Sequence, residues 1–186
     1  MSLLTASIKT SWTGMKPADL KKRLGQIARK AAKVGVLTST NARDNTNLGF
    51  GSTGLDAGNA DVGKANEFGS YTGWRAVSLD TQESISGDSI PERSFLRDPL
   101  TNHLADNLAE VGEVVAASFT SGAHPNLAAS ALGTAGVEVV QEAFDTGGYG
   151  QWMANSPQVA AWKGRDEPLV ATGQLRAAIA SETVSA

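Results

Sequence analysis

Residues 90–96 read Ile90-Pro91-Glu92-Arg93-Ser94-Phe95-Leu96, and an apolar stripe begins where they end. Pro91 disfavours a helical conformation at Ile90, so the chain arrives extended. Beyond Leu96 come Leu100, Leu104, Leu108, Val111, Val115 and Phe119, always three or four residues apart. This spacing predicts one long amphipathic helix over residues 96–119. Gly122 to Pro125 interrupts the chain. A second long helix is predicted over Asn126–Phe144, with Leu132, Ala135, Val139 and Ala143 facing inward. Gly133 and Gly136 each cost that helix about 1 kcal/mol relative to alanine.

Upstream, Pro17 suits a first helical turn, and Leu20, Leu24, Ile27, Ala28 and Ala31 share one face of a helix predicted over Pro17–Lys33. Val34-Gly35-Val36-Leu37 follows as a strand. Thr38–Asp61 is rich in Ser, Thr, Asn and Gly and reads as an extended loop. Val62–Phe68 is a short helix closed by Gly69. Trp74–Leu79 is a strand, and Thr81–Ser89 a polar connection. Residues 147–167 form a second extended loop, carrying Trp152 and Trp162, either as core anchors or as interface hot spots. After Pro168-Leu169, Thr172-Gly173 makes a tight turn, and Ala177–Val184 closes a sheet as its last strand. There is no internal repeat and no linker, so residues 1–186 are read as one domain.

Composition narrows the function classes. The 186 residues contain no cysteine, which removes disulfides, thiolate metal sites and a cysteine nucleophile. Met1–Thr13 lacks the pattern of a secretory leader, and no apolar run approaches the roughly 20 residues of a membrane helix. The expectation is a soluble protein made in the cytoplasm, with no membrane partner. Net charge is only −3, against a general nucleic-acid binder. The distribution says more than the total. Lys16–Lys33 holds seven basic residues against Asp19 alone, a net of +6, and Asp80–Glu113 holds eight acids against Arg93 and Arg97, a net of −6. Segments of opposite sign attract within a subunit or between neighbouring copies. The basic face, with Lys21, Lys22, Arg29 and Lys30, reads as a solvated surface, a dock for an acidic neighbour, or a contact for DNA.

Two phosphate-loop patterns fail on context. Gly49-Phe50-Gly51-Ser52-Thr53-Gly54 matches G-x-G-x-x-G, but polar residues stand where the feeding strand is required. Gly58–Ala65 approaches a P-loop, with Ala65 where a hydroxyl must reach magnesium. The two histidines, His103 and His124, have no ligand spacing, and no G-x-S-x-G pattern occurs. Glu110 and Glu113 read as a solvated helix face. No catalytic, metal or cofactor site is expected, and no convergent polar pocket near His103, His124 or Glu67.

Three ordered segments resemble the neck and tail-completion proteins of long-tailed phages, a family of virion morphogenesis and head–tail joining proteins. They are Val34-Gly35-Val36-Leu37 with Ala65-Asn66-Glu67-Phe68-Gly69, then Ile90-Pro91-Glu92-Arg93-Ser94-Phe95-Leu96-Arg97, then Pro168-Leu169-Val170-Ala171-Thr172-Gly173-Gln174-Leu175. The second is similar to an "I-P-x-R-x-F-L" pattern and the third to "P-L-x-x-T-G-x-L". The resemblance spans residues 17–184. It implies an α+β fold, with two long helices plus the N-terminal helix on a small, mostly antiparallel sheet. It implies a ring of six or twelve identical subunits in the virion neck or tail. Its partners there would be a head connector or head-closure protein and a tail terminator or tail tube protein, with non-specific contact to packaged DNA allowed. Arg93 is expected to pair with Glu67 or another acid, and Phe95 and Leu96 to open the buried stripe. The rival readings are a phage-encoded enzyme or nuclease-like factor, and a small DNA-contacting protein.

Overall fold

A computed structural model describes residues 16–43, 48–50, 58–71, 73–78, 83–121 and 124–186. The readings of Met1–Thr13, Gly51–Gly54 and Leu79, and the side chain of Phe119, lie outside the described residues. In chain order the first elements are helix α1 (Pro17–Ile27), strands β1 (Lys30–Val36) and β2 (Leu48–Phe50), helix α2 (Asn59–Glu67), and strands β3 (Trp74–Ser78) and β4 (Ser84–Gly87). Helices α3 (Arg97–Asn102), α4 (Leu108–Ser121), α5 (Asn126–Thr146), α6 (Pro157–Lys163) and α7 (Gln174–Ala177) follow, and strand β5 (Ile179–Ser185) ends the order. The fold is α+β, with two small antiparallel sheets, β1-β5 and β2-β3-β4.

Helix α5 is the spine. Its 21 residues span about 30 Å, and it lies directly on the β1-β5 sheet. Gly133 and Gly136 permit the approach. A Cβ at Gly133 would stand 2.8 Å from Ser181 Oγ, and one at Gly136 would stand 2.9 Å from Val34 Cγ2. The helix thus gives up propensity for a close helix–sheet seam. Gly147, at φ +64, ends α5 in the left-handed conformation that glycine adopts without a Cβ penalty.

Beside the seam, Phe95, Val140, Phe144, Leu175 and Ile179 form the buried core. Phe95 is 1% exposed, and burying such a side chain contributes about 1.5–3 kcal/mol. Phe144 sits between Phe95 and Trp152, with both ring centroids 5.6 Å away.

Several expectations need correction. The N-terminal helix stops at Ile27, so Arg29 lies in the following turn and Lys30 and Lys33 lie on β1. Lys30-Ala31-Ala32-Lys33 has good helical propensity, but seven cross-strand partners in β5 override it. Ala32 and Val34, two residues apart, face the glycines of α5, the period of a strand.

The long helix predicted over 96–119 is broken. It becomes α3, a 3-10 turn at Leu104–Asn107, and α4. The break falls at His103, whose ring stacks on Tyr149 with centroids 3.6 Å apart and planes 9° apart. Asn102, His103, Asp106 and Asn107 are all weak helix formers. The stripe loses its register there, and Leu108 is 42% exposed. The two loops are also less open than expected. Residues 38–61 contain a 3-10 turn, β2 and the start of α2, and residues 147–167 contain α6. The polar stretch 81–89 contains β4, whose single inward side chain is Ile85. Helices α2 and α5 and strands β3 and β5 stand close to where the sequence puts them.

Candidate interaction site

Glu67 is the last residue of α2 and is 4% exposed. An acid there opposes the helix dipole, which signals a use beyond its own helix. Gly69 follows at φ +69 and turns the chain back. A Cβ at this position would stand 3.1 Å from both Glu92 N and Ile90 O, so only glycine lets residues 90–92 lie this close. Ser70 and Ile90 exchange backbone hydrogen bonds of 2.9 and 2.7 Å, and the Arg93 amide donates to Asn66 O at 2.7 Å. The Ile90–Leu96 segment is thereby clamped against the end of α2.

The Glu67 carboxylate then accepts four hydrogen bonds. Oε1 accepts from Ser94 Oγ at 2.7 Å and Arg97 N at 3.0 Å; Oε2 accepts from Phe95 N at 2.7 Å and Leu96 N at 2.9 Å. A buried anion thus satisfies three amides at the start of α3. The expected Arg93–Glu67 pair does not form. Arg93, 7% exposed, donates through Nε to Met153 O at 2.8 Å and through Nη2 to Ala154 O at 3.0 Å. Its charge faces Asp166, while burial lowers its pKa. Trp152 donates Nε1–H to Ser94 O at 3.1 Å and acts as a core anchor. Arg93 and Trp152 therefore seat the 152–154 stretch on the Ile90–Leu96 segment.

The third segment joins them. Leu169 holds a positive φ of +62, unusual for a side chain with a Cβ. Gly173, at φ +78, precedes α7 and brings Leu175 into the core. A Cβ at Gly63 of α2 would stand 3.2 Å from Phe95 and 3.4 Å from Leu175. Segments 65–69, 90–97 and 168–175 thus meet around Phe95. Pro168 is half-buried and Thr172 exposed. Phe68 is 59% exposed, with the Arg97 guanidinium 5.4 Å from its ring centroid. Arg97 also pairs with Glu92. Tyr71, missed in the sequence, is 96% exposed.

Beside this junction lies a hollow of about 830 Å³ between α2, the β3-β4 hairpin, α6 and residues 169–175. Ile85, Ile90, Trp162 and Leu169 give it an apolar wall, and Arg43, Arg93 and Lys163 line it as cations. Burial, and then the nearby Arg93 charge, lowers Lys163 to about 8 against the opposing pull of Asp166 and Glu167. Burial lowers Arg43 as well. Such a wall suits a chain segment that presents an apolar side chain beside a carboxylate. The cations are scattered through the sequence: Arg43 is held by Asn59 of α2, Arg93 by the Met153 and Ala154 carbonyls, and Lys163 ends α6.

The remaining titratable candidates are dispersed. His103 is stacked on Tyr149. His124 Nδ1 accepts from Asn126 N at 3.2 Å at the start of α5. His124 borders an open hollow of about 400 Å³ with Gln26, Arg29 and Lys30. Among the described residues no three His, Asp or Glu side chains converge as metal ligands, and no helix is long and apolar enough to cross a membrane. No protein-family model matches the chain, and neither a curated protein nor a solved structure matches it.

Proposed function

We propose that this chain is a structural protein of a phage particle, placed at the head–tail junction. It resembles the neck and tail-completion proteins, assembles as an oligomeric ring of six or twelve copies, and joins, completes or terminates the tail. Its partners in this reading are a head connector or head-closure protein on one side and a tail terminator or tail tube protein on the other. Binding is the mechanism. Assembly takes place in the host cytoplasm, and the product resides in the virion.

The observation that carries this reading is the convergence of the three resembling segments. They are far apart in sequence, yet Glu67, Arg93, Phe95 and Leu175 all belong to one junction. The buried polar groups of that junction hold chain segments to one another, as a rigid docking part requires. The adjoining cationic hollow and the exposed Phe68 and Tyr71 supply surface for neighbours.

Imaging of the intact particle, with this chain located in the density, tests the reading. The expected result is a ring between head and tail, and free heads and free tails when the protein is missing. A particle without the chain, or unimpaired joining in its absence, overturns it.

A further inference from the structure

The wall of the hollow beside the junction holds two cations that no acid matches. Arg93 is 7% exposed, and its Nε and Nη2 donate to the neutral carbonyls of Met153 and Ala154. Lys163, half-buried at the end of α6, donates to Glu167 O at 2.7 Å. That bond uses one of the three ammonium hydrogens. Neither cation forms an ion pair among the described residues. The acids that act on Lys163 are engaged elsewhere: Asp166 Oδ1 accepts from Asn155 N and Nδ2, both at 3.0 Å, and Glu167 pairs with Arg165. Asp61, the acid on the wall itself, is exposed and accepts the Gly58 amide at the start of α2. Charges withdrawn from water are normally paired. Here burial, and then repulsion by Arg93 that exceeds the pull of either acid, lowers the Lys163 ammonium to about 8.

The rest of the wall selects what carries the missing anion. Ile85, Ile90, Trp162 and Leu169 are apolar. They disfavour a doubly charged group such as phosphate and favour hydrocarbon beside a single charge. Asn66, Ser89 and Thr172 stand among them. A free aliphatic acid would leave those polar side chains facing hydrocarbon. Peptide groups on either side of an acidic residue would supply them with hydrogen bonds. The volume of about 830 Å³ falls within the range of about 300–1,000 Å³ found for sites that enclose a ligand.

We infer that the hollow receives a segment of a partner protein in which an Asp or Glu stands beside a large apolar residue. The carboxylate meets the Lys163 ammonium, and the apolar side chain lies against the Ile85 and Trp162 wall. This rests on the partner-binding part of the function proposed above and names the chemistry of the contacting segment.

The test is selection of a random peptide library on the immobilised full-length protein at neutral pH. Enriched peptides should carry an acid next to a large apolar residue. A synthetic copy of the best one is then titrated by NMR and calorimetry, and its contacts should map to α6, β4 and residues 169–175. Replacing its acid by the amide should weaken binding by roughly tenfold or more, and so should Lys163→Met. The amide peptide reads the unmodified protein, so the test survives a variant that fails to fold. Because the carboxylate needs the ammonium, affinity should fall roughly tenfold from pH 7 to pH 9. Lys163→Arg, charged throughout that range, should bind with little change across it. Enriched peptides without acids overturn the inference, as do no enrichment, contacts on another surface, or equal binding by the amide peptide or by Lys163→Met. Decanoate that fills the hollow while no peptide is enriched assigns it to a free acid and also overturns the protein segment. The particle role is read separately. An acidic segment bound in the hollow of a chain absent from particles removes the junction reading and leaves this site standing. A chain located at the junction whose hollow takes no acidic segment does the reverse.

Discussion

The Glu67 carboxylate accepts the backbone amide of Phe95 at 2.7 Å, and so the end of one helix fixes the start of another. Three further donors share that carboxylate. Glu67→Ala leaves all four buried or half-buried donors without their acceptor. Hydrogen bonds to a charged group are worth about 1.5–3 kcal/mol each and are not additive, so a loss of about 3–5 kcal/mol is expected. Glu67→Gln is not a neutral replacement, because both oxygens are used and its NH₂ would face amide donors. A loss of about 2 kcal/mol is expected there. Urea denaturation measures both; a Gln variant as stable as the parent would contradict the four-donor geometry.

Arg93 holds the Met153 and Ala154 carbonyls with two nitrogens of one planar group. Lysine cannot reproduce a two-pronged contact from a single ammonium. Arg93→Lys should therefore release residues 152–156 while α5 keeps its protection. Hydrogen exchange on the variant reads this directly, and unchanged exchange at Asn155 and its neighbours would rule it out.

Alanine normally improves a helix over glycine by about 1 kcal/mol. At Gly136 the sign should reverse, because the new Cβ would stand 2.9 Å from Val34 and 3.3 Å from Leu100. Overpacking of this kind costs about 1–3 kcal/mol, so Gly136→Ala is expected to lower stability. Gly112 is the control, since a Cβ added there would meet no heavy atom within 4 Å, and Gly112→Ala should stabilise. Thermal unfolding of the pair compares them on the same chain.

Two groups give the fold an alkaline pH dependence of opposite sign. Lys163 titrates near 8 in the folded protein, below the ordinary 10.5, because burial and then Arg93 disfavour its charge. The unfolded chain binds more protons between those values, so this group makes stability rise with pH across that window. Tyr149 is pushed up to about 12 by burial and then by Glu142. Its contribution is full below about 10, the unfolded value, and is lost as pH rises through about 12. Lys163→Met should remove the gain above pH 8, and Tyr149→Phe the loss above pH 10. Melting temperatures across that range, relative to the parent, decide both.

Much of the fold was legible from residue pattern. The Val62–Phe68 helix with its glycine stop, the second long helix and the closing strand all obey local rules that tertiary structure does not overturn. The three motif segments were also visible, because Ile90-Pro91 and Thr172-Gly173 have backbone demands of their own. What stayed hidden depends on distant partners. Lys30–Lys33 looks helical until β5 is beside it. The break at His103 falls among weak helix formers, but the stacking of its ring on Tyr149, far along the chain, has no local signal. The use of Glu67 follows from where Ser94–Arg97 come to rest, and no spacing within either segment encodes that. The cationic wall of the hollow is likewise assembled from Arg43, Arg93 and Lys163, which only the finished fold brings together.

The pairing of β1 with β5 also sets an order of events during synthesis. Lys30 and Ser185 are partners, so β1 waits for a strand that is made only after every helix from α2 to α7. Until β5 is present, β1 has an unpaired edge and the glycine face of α5 has only half of its floor. Pairings this distant in sequence form slowly, since loop closure precedes any gain, and exposed edges during the delay invite wrong associations. Sealing of the sheet is therefore the late step of folding. Pulse-labelled hydrogen exchange should find α5 amides protected before those of β1, with the reverse order as the contrary result.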